Sequence, residues 1–290
     1  SNTAMTRSSQ PTQASPSQRK PLAVKGFLFE MIKVGNQRLR VGIRHSRKGG
    51  IPLLLFNGIG GNAELLQPFV DALPDRTVIT FDIPGVGHSP MPARPYRMSG
   101  IARLAHQLLL QLGHLQVDVL GISWGGTVAQ QFARNYPRQC RKLVLAATTP
   151  GAIMFPGKLG IILIMASPRR YIDADYARRI VGDIYGGAFR RNPDLGREHF
   201  QHVRWQSRLG YYLQLFAISG WSSLPWLHRL QQPTLIMIGL DDPITPPANG
   251  RLMHVLMPNA ELWHSHCGHL FLVTQAKDSA AAVHRFLQQP

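Results

Sequence analysis

The chain has 290 residues, of which 44% are hydrophobic and 16% are charged, a balance typical of a globular protein and unlike a disordered or fibrous one. Its two cysteines exclude a disulfide scaffold and a zinc-finger arrangement, and no apolar run is long enough to span a membrane. The formal net charge of +17, from 32 basic and 15 acidic residues, favours acidic partners but does not indicate a fold. Because the N-terminus also lacks an apolar signal segment, we expect a soluble, cytoplasmic protein.

The positive charge is concentrated in two parts of the chain. Residues 1–50 hold ten Lys or Arg and a single acid, Glu30. A second share lies in residues 151–231, much of it as the pairs Arg169-Arg170, Arg178-Arg179 and Arg190-Arg191. No groove-reading helix or aromatic platform accompanies these residues, so nucleic-acid binding is disfavoured. We interpret them as a solvated basic surface, with docking to an acidic surface as the alternative.

Taken in chain order, the segments first predict a disordered tail, residues 1–24, rich in Ser, Thr, Gln and Pro. Two strand-like segments follow, 27–34 and 37–45, and form a predicted hairpin across Gly35-Asn36. Beyond residue 50, short apolar strands alternate with helical segments. The predicted strands are 52–56, 77–81, 117–120, 142–147, 234–238 and 261–264. The predicted helices are 63–73, 98–112, 124–136 and 274–287.

This alternation stops between residues 151 and 231, where the sequence is helical or irregular and is rich in Arg, Gly and aromatic residues. Strands that are apolar throughout and alternate with helices form a mostly parallel sheet with helices on both faces. The sequence therefore predicts an α/β core made of residues 25–150 and 232–290. A helical cap, residues 151–231, is inserted between two of its strands.

The sharpest local motif is Gly121-x-Ser123-x-Gly125, which directly follows a predicted strand and directly precedes a helix. This context is typical of the nucleophile elbow, a strained turn that lifts a serine hydroxyl clear of a parallel sheet. A serine hydroxyl is a poor nucleophile unless a nearby base removes its proton. We therefore predict Ser123 as a nucleophile; an ordinary glycine-rich turn is the alternative.

The base and its orienting acid should come later in the chain, in the order Ser, Asp, His. His269 follows a glycine directly after the last predicted strand, whereas His264 and His266 are interpreted as structural or exposed residues. Asp241 and Asp242 both follow the strand 234–238. We favour Asp242 as the acid, because it stands three residues after Gly239 and before a proline, and we leave Asp241 as its competitor.

Acyl transfer by a serine also needs hydrogen-bond donors aimed at the oxyanion that develops in the transition state. The residue after the nucleophile supplies one backbone N–H, here Trp124, and the loop after an early strand supplies the second, for which Ile59 is the candidate. This glycine-rich loop lacks the Gly-Lys-Ser/Thr ending of a phosphate-binding loop. Asp82, at the end of another strand, is interpreted as part of a structural turn. Cys140 and Cys267 are in neither a nucleophilic nor a metal-binding context.

With these motifs, the chain resembles the α/β-hydrolases, and in finer detail the intracellular depolymerases of medium-chain-length polyhydroxyalkanoate. In the core, the resemblance rests on the stretches 56–60, 81–89, 121–126 and 268–272. In the cap, it rests on Pro156-Gly157-Lys158, Ala166-Ser167-Pro168-Arg169-Arg170-Tyr171, Ile184-Tyr185-Gly186-Gly187 and Gly210-Tyr211-Tyr212. The basic N-terminal tail and Ser265-His266-Cys267 depart from the family pattern.

The resemblance implies that Ser123 is the nucleophile, Asp242 the acid and His269 the base, with no metal or organic cofactor. We predict a serine hydrolase that cleaves the ester bonds of an intracellular polyester of 3-hydroxy fatty acids through an acyl-enzyme, with the polymer or its granule surface as partner. The apolar cap segments 159–165 and 221–227 are expected to line a pocket for alkyl side chains or to face the polymer, or else to pack on the core. Alternatives are a soluble carboxylesterase or carbon–carbon bond hydrolase with the same triad, and a non-catalytic binding protein of this fold.

Overall fold

A computed structural model of the chain describes residues 23–24, 26–151 and 156–290. The strands of these residues are β1 (Ala23–Val24), β2 (Phe27–Val34), β3 (Gln37–Arg44), β4 (Leu53–Phe56), β5 (Val78–Phe81), β6 (Val117–Ile122), β7 (Cys140–Ala146), β8 (Thr234–Gly239) and β9 (Ala260–Ser265). They form one sheet in the order β1-β2-β3-β5-β4-β6-β7-β8-β9. The first three strands and β5 pair in antiparallel fashion, and all pairs from β5 across to β9 are parallel.

Helices lie between most of the parallel strands. They are α1 (Gln67–Ala72), α2 (Met98–Gln111), α3 (Trp124–Asn135), α4 (Leu159–Met165), α5 (Arg169–Ile172), α6 (Ala174–Tyr185), α7 (Ala188–Arg191), α8 (Asp194–Phe200), α9 (Arg208–Ile218), α10 (Pro247–Leu256), α11 (Phe271–Thr274) and α12 (Ala276–Gln288). Short 3-10 helices cover Ala63–Leu66 and Leu227–Arg229. None of the helices in the described part of the chain is both long and apolar enough to cross a membrane.

The hydrophobic core is split by the sheet into two layers. Alternate residues of β4 point to opposite faces: Leu54 joins the layer formed with α2, α3 and α10, and Leu55 joins the layer formed with α1, α11 and α12. Because both faces are covered, every residue of β4 to β6 and of β8 is buried. This explains why these strands are mostly apolar rather than alternating between apolar and polar residues.

The structure departs from the predicted elements in three places. The segment predicted as one helix, 63–73, is a 3-10 turn followed by α1, because Pro68 has no N–H with which to continue an α-helical ladder from the preceding turn. Helix α10 was not predicted from the sequence. Of the predicted disordered tail, residues 1–22 lie outside the described residues, whereas Ala23 and Val24 form β1.

Helices α4 to α9 are inserted between β7 and β8, at the position of the predicted cap, and we use the name cap for residues 156–218. The cap has a small core of its own, built from Val181, Ile184, Tyr185 and Phe189. Segment 221–227, for which packing on the core was the alternative expectation, packs there. Its aromatic side chains pack on the sheet layer and Leu227 is fully buried there.

The interpretation of the three cap arginine pairs as solvated surface is wrong for one residue, Arg170. The other members of these pairs are exposed, whereas Arg170 is 2% exposed and lies among aromatic side chains of the cap. A guanidinium can be buried in this way because its planar faces stack on aromatic rings while its edges donate hydrogen bonds.

Candidate active site

Ser123 occupies the strained turn between β6 and α3. Its φ of 54° and ψ of −120° lie outside the regions that a non-glycine residue usually adopts. The turn is held by backbone bonds: the Ser123 N–H donates to the Ala146 carbonyl at 2.9 Å, and the Gly126 N–H donates to the Ser123 carbonyl at 2.9 Å. The side chain of Ser123 therefore stands at the carboxyl end of the parallel strands and remains half-exposed.

The glycines on both sides of Ser123 are required by close backbone contacts. A Cβ on Gly125 would lie 2.2 Å from the Phe56 carbonyl oxygen, and one on Gly121 would lie 2.2 Å from the Gly125 carbonyl oxygen. Neither contact can be relieved by a rotation, because both partners are backbone atoms. The spacing of the motif thus follows from the packing of α3 against β4 and β6.

His269 and Asp242 form a buried pair next to this turn. The Nδ1 atom of His269 lies 2.8 Å and 3.0 Å from the two carboxylate oxygens of Asp242, and the two side chains are 4% and 1% exposed. An ionised carboxylate can only accept, so Nδ1 carries the proton and donates to it. In the neutral imidazole, a proton on Nδ1 leaves Nε2 as an acceptor, which is the state that a general base requires.

Asp242 is oriented by hydrogen bonds from its own turn. The N–H groups of Ile244 and Thr245 both donate to Oδ1 at 3.0 Å, and the Thr245 hydroxyl donates to Oδ2 at 2.7 Å. These contacts fix the carboxylate plane towards His269. Thr245 was not singled out from the sequence, although a threonine three residues after an Asp in a tight turn is a recognisable bonding pattern.

Asp241 points away from His269, into the cap. Its Oδ2 accepts from the Gly187 N–H at 2.6 Å and from Nε of Arg190 at 3.0 Å. Partial burial raises the pKa of Asp241, but these two donors outweigh it and the net pKa lies below its ordinary value. The two neighbouring carboxylates therefore have different partners, one in the core and one in the cap.

The loop after β4 brings Ile59 to the same place. Ile59, Ser123 and Trp124 line one cavity of about 240 Å³. Within the described residues, no hydrogen bond occupies the backbone N–H groups of Ile59 and Trp124, apart from any within helix α3. Two free N–H groups beside a serine hydroxyl can bind an oxyanion.

Two cap residues hold this loop against the sheet. The Tyr171 hydroxyl donates to the Ile59 carbonyl at 2.8 Å, and the Gly60 N–H donates to Oε1 of Gln214 at 2.8 Å. The backbone carbonyl of Gln214 also accepts from the Trp124 indole at 2.8 Å. Gln214 is fully buried and thus connects both halves of the potential oxyanion site. Nothing in the local sequence pattern indicated this contact, because it joins residues far apart in the chain.

The cavity beside Ser123 is apolar on its cap side. Ile161, Ile162 and Met165 of α4 and Leu215 and Ile218 of α9 supply this wall. The expectation that segment 159–165 lines a pocket is confirmed. A second, smaller cavity of about 50 Å³ also contains Ser123 and is lined on its other side by His269, Arg170 and Tyr185.

Asp82 is part of a structural turn, as interpreted from the sequence. Its carboxylate, fully buried, accepts from Nε of Arg40 at 2.8 Å and from the N–H groups of Ala63 and His88, both at 2.9 Å. Arg40 also pairs with Glu64 at 2.6 Å. This network stabilises the segment that follows the Ile59 loop.

Comparison with known proteins agrees with this geometry. The profile of the α/β-hydrolase fold family matches residues 51–276. The chain is 50% identical to the poly(3-hydroxyalkanoate) depolymerase of Ectopseudomonas oleovorans, over 91% of this chain and 93% of that protein. The chain is an α/β-hydrolase of the same family as this relative. The predicted fold class and the resemblance stated from the sequence are both confirmed.

More distant relatives of this hydrolase are named for other substrates. It is 26% identical to the 2-hydroxymuconate semialdehyde hydrolase of Pseudomonas sp. (strain CF600), over 89% of this chain and 95% of that protein. Among solved structures, the enol-lactonase from Burkholderia xenovorans LB400 aligns with a TM-score of 0.78 at 20% identity, covering 90% of this chain and all of that one. At this identity, the structural match shows the fold alone.

Proposed function

We propose that this hydrolase cleaves the ester bonds of medium-chain-length poly(3-hydroxyalkanoate), with Ser123, His269 and Asp242 as its catalytic triad. The reaction type is supported chiefly by one observation: a serine on a strained turn shares its cavity with a histidine whose Nδ1 is bound to a buried carboxylate. The polymer as substrate is supported by the relative that is 50% identical over nearly the whole chain.

In the first half of the reaction, Oγ of Ser123 attacks the ester carbonyl while Nε2 of His269 removes its proton. The resulting imidazolium is stabilised by Asp242, which stays ionised. The C–O bond then breaks, and the alkoxide of the departing 3-hydroxyacyl unit takes the proton from His269. In the second half, a water attacks the Ser123 ester by the same route and releases the acid.

The oxyanion of each tetrahedral intermediate is bound by the N–H groups of Ile59 and Trp124. Donors fixed in the backbone need no reorganisation when charge develops, and losing one such donor typically costs about 100- to 1,000-fold in kcat. Tyr171 and Gln214 hold the loop that carries Ile59, so the cap takes part in this stabilisation indirectly.

The apolar wall formed by α4 and α9 fits the alkyl side chain of a medium-length 3-hydroxyacyl unit. Burying such a chain contributes roughly 0.8 kcal/mol for each methylene group removed from water. This wall favours medium-chain over short-chain substrates. It supplies no polar group that would select a small charged substrate on the acyl side.

The outer faces of these two helices suit a granule surface. On α4, Leu159 and Leu163 are 71% and 63% exposed, and on α9 Leu209 is 57% exposed. Exposed apolar side chains beside a cavity mouth are typical of an interaction surface. We infer that this face, helped by the exposed cap arginines, binds polymer granules in the cytoplasm. The double variant Leu159→Ser, Leu163→Ser should bind granules more weakly while keeping its turnover of p-nitrophenyl octanoate.

The decisive experiment is clearing of a medium-chain poly(3-hydroxyalkanoate) latex by the purified protein. We expect clearing with release of 3-hydroxy acids, and at least a 1,000-fold loss in Ser123→Ala. If the protein fails to clear the latex but fully hydrolyses p-nitrophenyl esters, its substrate is a small ester and not the polymer. Absence of a Ser123 adduct with a fluorophosphonate would instead indicate a non-catalytic protein of this fold.

A further inference from the structure

Arg170 is a buried cation without an acidic partner. It is 2% exposed, yet its guanidinium forms hydrogen bonds only to neutral oxygens. Nε donates to the Tyr185 hydroxyl at 3.3 Å, and Nη1 donates to the Tyr211 hydroxyl at 2.8 Å and to the Ser167 carbonyl at 3.4 Å. No carboxylate of the described residues makes a salt bridge with it, although Asp82 and Asp118 in the core are each paired with an arginine.

Two aromatic rings also lie beside the guanidinium. The guanidinium carbon lies 4.5 Å from the ring centre of Tyr171 and 5.4 Å from that of Tyr211. Ring faces and hydroxyl groups offset part of the cost of removing the charge from water, but they leave its full positive charge uncompensated. A buried charge is ordinarily paired with an opposite charge. The opposite charge expected here is therefore one that arrives with a ligand.

The position of Arg170 indicates where that ligand binds. Arg170 lines the small cavity that also contains Ser123 and His269. Its hydrogen bonds to the described residues are made by Nε and Nη1, and none of them involves Nη2. The next residue, Tyr171, is bonded to the Ile59 carbonyl, so the helix that carries Arg170 is docked on the loop that borders Ser123.

No second permanent charge competes in this cavity. Its other polar lining groups are amides, hydroxyls and histidines. Burial, together with His202 and Arg170 nearby, lowers the pKa of His199 to about 4, so His199 is neutral at physiological pH. Arg170 is thus the lining residue, among those described, that can bind an anion by charge.

We propose that Arg170 binds the free carboxylate of the terminal 3-hydroxyacyl unit of a polyester chain, and so directs cleavage to the carboxyl end of that chain. The inference rests on the proposed function and specifies how the alcohol part of the cleaved ester, the leaving group, is recognised. In a terminal unit only a few bonds separate the carboxylate from the ester oxygen. A group that binds this carboxylate must therefore lie close to Ser123, and Arg170 lines the same cavity. The acyl part then occupies the larger apolar cavity, which Ser123 also lines.

The reaction balances without any additional reactant. Ser123 Oγ forms a bond to the carbonyl carbon, the bond from that carbon to the terminal unit breaks, and His269 returns its proton to the departing alkoxide. The first product is a 3-hydroxy carboxylate still facing Arg170. Water completes the second half of the reaction on the remaining chain.

The test compares the 3-hydroxyoctanoate dimer bearing a free carboxylate with the methyl ester of the same dimer. For the wild-type protein we expect kcat/KM for the free acid to be about 10- to 100-fold higher, since a charge-assisted hydrogen bond is lost in the ester. In Arg170→Gln the two substrates should be hydrolysed equally well. Arg170→Lys, which keeps the charge, should retain part of the preference.

A purely structural Arg170 would give a different pattern. Arg170→Gln would then lower the turnover of both dimers alike, and the wild-type protein would not distinguish them; either result overturns the inference. If Arg170→Gln does not fold, the ratio of kcat/KM between the free-acid dimer and its methyl ester, measured for the wild-type protein and for Arg170→Lys, still tests the inference. Equal hydrolysis of both dimers refutes only the carboxylate receptor, whereas hydrolysis of p-nitrophenyl octanoate but of neither dimer nor latex refutes the proposed function itself.

Discussion

The sheet and the cap build one site by different means. On the sheet side, backbone geometry fixes the reactive groups: Ser123 is held by two backbone hydrogen bonds and flanked by glycines that admit no side chain. On the cap side, side chains reach across to the core, as Tyr171 and Gln214 do to the Ile59 loop. Chemistry is therefore tied to short sequence motifs, whereas substrate selection is spread over single residues far apart in the chain.

The adjacent residues Asp241 and Asp242 allow this contrast to be tested with one chemical change at two positions. Asp242→Asn should lower kcat for p-nitrophenyl octanoate by about 10,000-fold, because an amide at this position favours the wrong tautomer of His269. Asp241→Asn should change kcat only a few-fold, since Asp241 bonds to the cap. Comparable losses in both variants would mean that the cap contact is as important for chemistry as the acid.

The next largest effect should come from the backbone contacts on the sheet side. Gly125→Ala would place a methyl group 2.2 Å from a backbone oxygen, so we expect a loss of at least about 3 kcal/mol in the free energy of unfolding by urea. Gly160→Ala, in cap helix α4, is the matched control. No atom lies within 4 Å of its added methyl group, and better helix propensity should make it neutral or stabilising by up to about 1 kcal/mol.

A smaller effect is expected where the cap supports the oxyanion loop. Gln214→Met removes the acceptor of the Gly60 N–H, and we expect kcat to fall about 10-fold, in line with the cost of leaving a buried donor unpaired. Gln206→Met is the control, because Gln206 also bonds a core loop, at Gly87 and Ser89, away from Ser123. A control variant as slow as Gln214→Met would assign the effect to general loosening of the cap.

The smallest effect concerns the pH dependence of the Asp241 contact. Because its pKa in the folded protein is below the unfolded value, its stabilisation is complete above about pH 4 and is lost as the pH falls through the folded pKa. Asp241→Asn should thus lower the free energy of unfolding at pH 7, by at most about 1 kcal/mol given its solvent exposure, and by less at pH 3. A difference that grows in acid would contradict this assignment.

The sequence was sufficient to predict the parts of the fold whose patterns are local. Strands buried on both faces are mostly apolar, and the turn at Ser123 has its own glycine spacing, so both could be recognised. Helix α10 was missed because Asn249 and Gly250 resemble a loop. Gly250 is in fact needed for contact with β8, where a Cβ would lie 2.1 Å from Ile238, and Pro247 at the helix start is a signal that could have been used.

The cap contacts could not be predicted in the same way. Arg170 stands next to another arginine and has the appearance of a surface residue, since only the folded cap brings Tyr185 and Tyr211 around it. Gln214 likewise has no local pattern that marks it. Their roles depend on contacts between residues separated by 15 to 154 positions, which residue spacing alone does not encode.

The loop that carries His269 is hydrogen-bonded to the end of cap helix α6. The backbone N–H of His269 donates to the Tyr185 carbonyl at 2.8 Å, at the end of α6, and the adjoining Gly187 N–H donates to Asp241. Deleting the cap helices would remove both of these hydrogen bonds from the surroundings of the His269 loop. We therefore expect the shortened protein to lose its esterase activity. Exchanging these helices with those of a homologue to change the accepted substrate would succeed only if the graft restored both of these hydrogen bonds.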